Sequence, residues 1–157
     1  MLGIFITIVT LLFLTTNNET SAPMDMHSRQ FEILLADALE HLWDFSYLGK
    51  HPLSQLSIVR RRLSQKTDES HLDVGRALSE VLRAAIVALK PTEDQETCSR
   101  EKHYYTILTK AYVEGITNRA IAKSIDVGDR TLYRYSIKAI QCVARIVLDW
   151  EAHLSDS

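Results

Sequence analysis

Cysteine is nearly absent: Cys98 and Cys142 are the two in 157 residues, far apart and forming no Cys-x-x-Cys pair. That argues against a disulfide scaffold or a zinc site and fits a reducing compartment, with Cys142 an ordinary core residue on a helical face. Glycine and proline are scarce too, at five and three. So few breakers, set among runs of Leu, Ala, Ile and Arg, predict an all-α fold. There is no glycine-rich phosphate loop, no Gly-x-Ser-x-Gly elbow and no His-Glu-x-x-His. The six histidines, at 27, 41, 51, 71, 103 and 153, are scattered without ligand spacing. His41 and His103 read as helix-surface or partly buried residues. Catalysis, a cofactor and a metal are therefore not expected. A strong overall charge is lacking as well: the net charge of −2 gives no global attraction to nucleic acid, so any such signal must be local.

No charged side chain precedes Glu19, and Leu2–Leu14 is almost wholly apolar. A signal peptide should open with basic residues, and a membrane span needs about 20 apolar ones, so the run fits neither cleanly. Three readings stand: translation from Met24 or Met26, an N-terminal anchor, or an exported leader. Every Lys and Arg lies after residue 28, so an anchored form would keep its body in the cytoplasm. The membrane is a partner only if the leader is real, and the body is otherwise cytoplasmic.

What is present suits a globular chain with a core: 46% hydrophobic and 24% charged residues, enough for one ordinary domain or two very small ones. Residues 1–27 form the leader and a polar linker. From a cap at Ser28, Phe31, Leu34, Leu35, Ala38, Leu39, Leu42 and Trp43 form one apolar stripe at helical spacing. Asp44 to His51 reads as a bend. Pro52 then suits the first turn of a helix burying Leu53, Leu56, Val59 and Leu63 and ending at Arg60-Arg61-Arg62, favourable charge at a helix C-terminus. Ser70 and Asp73 make a capping arrangement for a third helix carrying Val74, Leu78, Val81, Leu82, Ala85, Ile86 and Leu89. Its wide apolar stripe predicts a central position. Residues 28–90 thus form an N-terminal helical region, bounded by an acidic linker at 91–98.

Residues 99–157 carry the most informative stretch. A supporting helix opens at Ser99, with Tyr105, Leu108, Ala111 and Tyr112 inward, and Gly115 can end it. Thr117 is a good N-cap for a helix that turns Ile121, Ala122 and Ile125 to one face. At Asp126-Val127-Gly128 the chain can turn sharply: Asp tolerates a left-handed backbone, Val plugs the corner and Gly opens the next helix. That helix buries Leu132 and runs unbroken to Trp150. This is the plan of a helix-turn-helix, whose second helix enters the DNA major groove. Ser136, Ile140, Val143, Val147 and Trp150 follow a 4-3-4-3 spacing, which serves either docking onto the N-terminal helices or a homodimer seam.

The residues Gly115-Ile116-Thr117, Ile121-Ala122, Ile125-Asp126-Val127-Gly128 and Arg130-Thr131-Leu132 resemble the helix-turn-helix of LuxR-type regulators and of sigma-factor region four. Asp126 stands where that pattern usually has Gly, and Gly128 where it has a Ser cap. The Asp-Phe-Ser-Tyr-Leu-Gly-Lys-His-Pro-Leu segment also looks like a helical region found ahead of such units in some bacterial regulators. The resemblance implies a transcription regulator binding double-stranded DNA, in contact with RNA polymerase or a sigma factor. The charge pattern agrees: between Gly115 and Arg145 six basic residues face two acidic ones, a local +4. Arg130, Tyr133, Arg134 and Ile137 share a stripe suited to base contacts, and Thr117, Asn118, Arg119, Lys123, Thr131 and Lys138 suit phosphate contacts. The rival reading is a helical interaction module, a degenerate helix-turn-helix that binds a sigma factor, polymerase or partner helix.

Overall fold

The computed structural model describes residues 23–63, 70–92 and 99–156. Every regular element among them is helical, as the composition predicts: α1 (Pro23–Glu40), α2 (Phe45–Lys50), a 3-10 turn (Pro52–Gln55), α3 (Ser57–Leu63), α4 (His71–Ala88), α5 (Ser99–Leu108) running into a π-helical turn (Thr109–Val113), α6 (Asn118–Ser124) and α7 (Asp129–Ser155). Leu2–Leu14, Cys98 and most of the 91–98 linker lie outside the described residues. No helix among those described is long and apolar enough to cross a membrane.

Three N-terminal expectations need correction. First, α1 begins at Pro23, so Ser28 lies inside the helix rather than capping it. Proline's fixed φ and missing N–H suit a first turn, and nothing between Met24 and His27 breaks the helix. The same helix stops at Glu40, and the next residues tighten into i→i+3 bonds, His41 N–H to Ala38 O at 3.2 Å and Leu42 N–H to Leu39 O at 3.3 Å. Leu42 stays buried, but Trp43 swings out to 53% exposure. Second, the expected bend is the short helix α2. Asp44 caps it, its carboxylate accepting from Tyr47 N–H at 3.0 Å. Third, the helix expected from Pro52 is two pieces, because Leu56 is extended at φ −57° and ψ 139° between the 3-10 turn and α3. The arginines Arg60, Arg61 and Arg62 do fall in the last turn of α3.

The third helix matches its reading closely. Ser70 Oγ accepts from Asp73 N–H at 3.3 Å, and Asp73 returns the bond to Ser70 N–H at 3.3 Å. Beyond this box α4 buries Val74, Ala77, Leu78, Val81, Leu82, Ala85 and Ile86. Gly75, on the same helix, lies against α2, where a Cβ would collide with the Phe45 carbonyl oxygen and sit 2.9 Å from Gly49 N. A Cβ on Gly49 would in turn strike the His71 carbonyl. The glycine pair lets two backbones meet where any side chain would hold them apart.

One buried cluster draws on both halves of the chain, from Leu35 and Leu39 of α1 through Leu78 and Leu82 of α4 to Ile140 and Val147 of α7. Each fully buried Leu or Ile contributes about 1.5–3 kcal/mol, against about 0–1 kcal/mol for an exposed ion pair such as Arg62 with Glu80. Apolar packing therefore dominates the stability. Ile140, Val143 and Val147 are all 1% exposed or less, set against helices of their own chain. These side chains dock onto the N-terminal helices, one of the two uses open to that seam. Of the five seam residues, Ser136 is also buried and Trp150 is half-buried.

Candidate nucleic-acid interface

The π-helical turn is where the chain leaves the supporting helix. Glu114 N–H bonds to Thr109 O at 2.9 Å and Ile116 N–H to Lys110 O at 2.8 Å, and Gly115 closes the turn at φ 70°. Thr117 caps α6 through its hydroxyl, which accepts from Ala120 N–H at 3.4 Å. The hydroxyl oxygen is thus engaged as an acceptor, and its O–H is the group that a phosphate would meet.

The corner after α6 has the expected form. Asp126 adopts φ 55°, the one non-glycine residue with positive φ among those described. Val127 N–H reaches back to Ala122 O at 3.0 Å, and the Val127 side chain packs against the core. Gly128 is the N-cap of α7 in an extended conformation, without a side-chain bond. Ile121 and Ala122 from α6 and Leu132 from α7 are buried where the two helices meet.

Beyond the corner, the exposed stripe is narrower than expected. Arg130, Arg134 and Lys138 are exposed at successive i+4 positions, spanning about 12 Å of helix. Tyr133 and Ile137 are instead half-buried against the core. The Tyr133 hydroxyl is enclosed without a hydrogen-bond partner among the described residues, and burial pushes its pKa upward. The three-and-four spacing joined two adjacent faces that packing separates. On α6, Arg119 and Lys123 are exposed, while Asn118, like Thr131 on α7, is half-buried. Among the described residues no ion pair engages Arg119, Lys123, Arg130 or Arg134.

Two contributors carried no sequence signal. Lys110 Nζ donates to Ser124 Oγ at 3.0 Å, and Ser124 Oγ donates to Ile121 O at 2.8 Å, which clips the π-helical turn to the end of α6. His103 stacks on Tyr135 with ring centroids 5.8 Å apart, and Tyr104 meets the same ring edge-on at 6.0 Å. These aromatics join α5 to the second turn of α7. Both contacts link residues too far apart for periodicity to pair.

Two of the scattered histidines, His41 and His51, come together in the N-terminal region. Asp37 accepts from the Tyr47 hydroxyl at 2.8 Å and from His51 Nε2 at 3.1 Å. His51 Nδ1 accepts from Leu53 N–H at 3.2 Å, so its proton sits on Nε2. His41 Nδ1 donates to Asp37 O at 2.9 Å and stacks on Tyr47 at 3.8 Å. Burial pulls the His51 pKa down against the pull of Asp37, while the bond to Asp37 pushes Tyr47 up to about 12. Every strong donor here is committed to a neighbour, so the cluster fastens α1, α2 and the 3-10 turn together. No group of three or more metal-ligating side chains forms among the described residues.

No family model, no curated protein and no solved structure matches the chain.

Proposed function

We propose that α6 and α7 form a helix-turn-helix and that the protein is a sequence-specific DNA-binding transcription regulator. The observation that carries this is the row of exposed cations on α7, Arg130, Arg134 and Lys138, beside Arg119 and Lys123 on α6. Long exposed side chains of one sign repel one another and gain from a polyanion that neutralises them. A span of about 12 Å matches the width of the major groove. In this reading the first turns of α7 enter the groove and Arg130 and Arg134 take bidentate guanine contacts. Lys138, Arg119 and Lys123 hold phosphates on either side. Tyr133 and Ile137, half-buried beside this row, also serve the packing that sets the angle of α7. Thr117, whose hydroxyl oxygen accepts the cap bond, keeps its O–H to donate to a phosphate.

The test is fluorescence anisotropy against a selected DNA pool at several salt concentrations. Arg130→Ala and Arg134→Ala should each cost about 1–3 kcal/mol and relax one position of the site, while Lys123→Ala weakens all sequences alike and lowers the salt slope by about one. Absence of salt-dependent binding overturns the proposal. A second reading, a helical module for a protein partner, is favoured by Trp43 and Leu72. They are 53% and 52% exposed around a groove of about 610 Å³. Trp43 already holds one position by donating its Nε1–H to Tyr112 O at 3.2 Å, with the Arg83 guanidinium 5.0 Å from its ring. Under this reading the surface that matters is Trp43 with Leu72, and the arginine variants leave binding unchanged.

A further inference from the structure

Trp43, in the turn between α1 and α2, and Leu72, in the first turn of α4, are both more than half exposed. With the half-buried Phe45 they give an apolar lining to a groove of about 610 Å³, which Glu40, Asp44 and His41 complete. Large apolar side chains are ordinary on a surface singly and informative when gathered around one concavity. The Trp43 ring is held in place by its bond to Tyr112 O and by the Arg83 guanidinium over its face. A partner would therefore meet an aromatic surface already ordered, without the entropic cost of arresting it.

The formal charge of the lining has one sign: Glu40 and Asp44 belong to it, and no Lys or Arg does. Arg76 pairs with Asp73 at 3.7 Å and lies 5.6 Å from the Phe45 ring, and neither it nor Arg83 is part of the lining. His41 is committed to Asp37 O, and one Asp44 oxygen caps α2. Glu40 is half-buried, and among the described residues no hydrogen bond or ion pair engages it. Burial, with repulsion from Asp37 second, disfavours its charge, and a cation in the groove would offset both.

We infer that this groove docks a segment of a partner protein in which a bulky apolar side chain stands next to Lys or Arg. The apolar residue packs against Trp43, Phe45 and Leu72, and the cation meets Glu40 and Asp44. The same carboxylates repel an acidic segment. The inference deepens the second reading, a protein partner at Trp43 and Leu72, and rests on it. It is independent of DNA binding, whose cationic residues lie on α6 and α7.

The chain has two tryptophans, so the indole N–H signals of the ¹⁵N-labelled full-length protein report the groove through Trp43 and a position outside it through Trp150. Trp150→Phe assigns the pair. The probes are three synthetic peptides capped at both ends: Lys-Leu-Leu-Lys, Glu-Leu-Leu-Glu and Lys-Ser-Ser-Lys. At pH 8, above the Glu40 pKa of about 7, the first should shift the Trp43 signal saturably and leave Trp150 unmoved. The other two should bind about tenfold more weakly or not at all, one for its charge and one for its lost apolar contact. Leu72→Ser and Glu40→Gln should each weaken Lys-Leu-Leu-Lys about three- to fivefold, with an unchanged Trp150 signal showing that the fold survives. The inference is overturned if that peptide moves neither signal or both alike, or if both variants bind it as tightly as wild type. Tighter binding of Glu-Leu-Leu-Glu would overturn the basic chemistry and keep the groove as a protein-docking surface, whereas silence from all three peptides would remove that surface as well. A Trp43 signal that shifts with the concentration of the protein alone would assign the groove to a second copy of this chain, and overturns the inference too.

Discussion

The Glu151 carboxylate near the end of α7 accepts from the backbone N–H of Ser57 at 2.7 Å, although the two residues lie 94 positions apart. Its other oxygen accepts from Ile58 N–H at 3.0 Å. Ser57 and Ile58 open α3, whose first N–H groups have no intrahelical partner. A side chain from the last helix thus caps a helix of the N-terminal region. Burial pushes the Glu151 pKa up, but the bonds from Ile58 and Ser57 outweigh it and hold the carboxyl below its ordinary value.

Removing that cap should be measurable. Glu151→Ala should lower stability by about 1–2 kcal/mol in urea denaturation, and Glu151→Gln, which keeps one acceptor, by less. Because the folded pKa is depressed, the stabilisation is present above the ordinary carboxylate value of 4.5 and fades as pH falls through the folded one. A difference between wild type and Glu151→Gln that persists undiminished at pH 3 would contradict the charge-assisted cap.

Gly75 makes a sharper prediction. Gly→Ala inside a helix ordinarily gains about 0.5–1 kcal/mol. Here the added methyl meets the Phe45 carbonyl, and backbone cannot step aside as a flexible side chain can. Gly75→Ala should therefore destabilise by about 3 kcal/mol or more, enough to broaden or abolish the thermal transition seen by circular dichroism. A variant as stable as wild type would mean that α2 and α4 do not approach as closely as described.

At the corner, Asp126 holds φ 55° at a cost glycine would not incur. Asp126→Gly should stabilise by up to about 1 kcal/mol, and Asp126→Val, β-branched at a positive φ, should be clearly worse than Asp. Melting temperatures of the three proteins decide it. Val equal to Asp would contradict the left-handed turn.

Glu40 supplies a pH-dependent signature. Burial, with repulsion from Asp37 second, raises its pKa from 4.5 to about 7. The folded state favours the protonated acid, so the stabilisation is full below pH 4.5 and is lost as pH rises through about 7. Glu40→Gln removes that loss. Discounted for partial exposure, the variant should gain about 1 kcal/mol relative to wild type between pH 5 and pH 8. Parallel stability curves across that range would show that Glu40 is solvated like a surface carboxylate.

What the sequence determined by itself is the set of interactions closed within one helical turn. The Ser70–Asp73 box, the Thr117 cap, the left-handed Asp126 and the buried faces of α4 and α7 all follow from residues one to four positions apart. Backbone geometry brings such residues together whatever the rest of the chain does. The cationic residues of α6 and α7 were legible for the same reason, since charge is counted along the chain. Tertiary structure decided the remainder. Tyr133 and Ile137 lie beside Arg130 and Arg134 in the helical repeat, and only the position of the core separates them. Trp43 completes an apolar stripe, yet α1 ends at Glu40 and leaves it exposed. Gly75 reads as a mild defect in a helix until Phe45 and Gly49 are brought against it. The Asp37–Tyr47–His51 cluster and the Glu151 cap join residues whose spacing has no periodic signature. Such contacts form only after the apolar faces have packed, because hydrophobic burial sets which helices meet and is indifferent to the polar groups that meet with them.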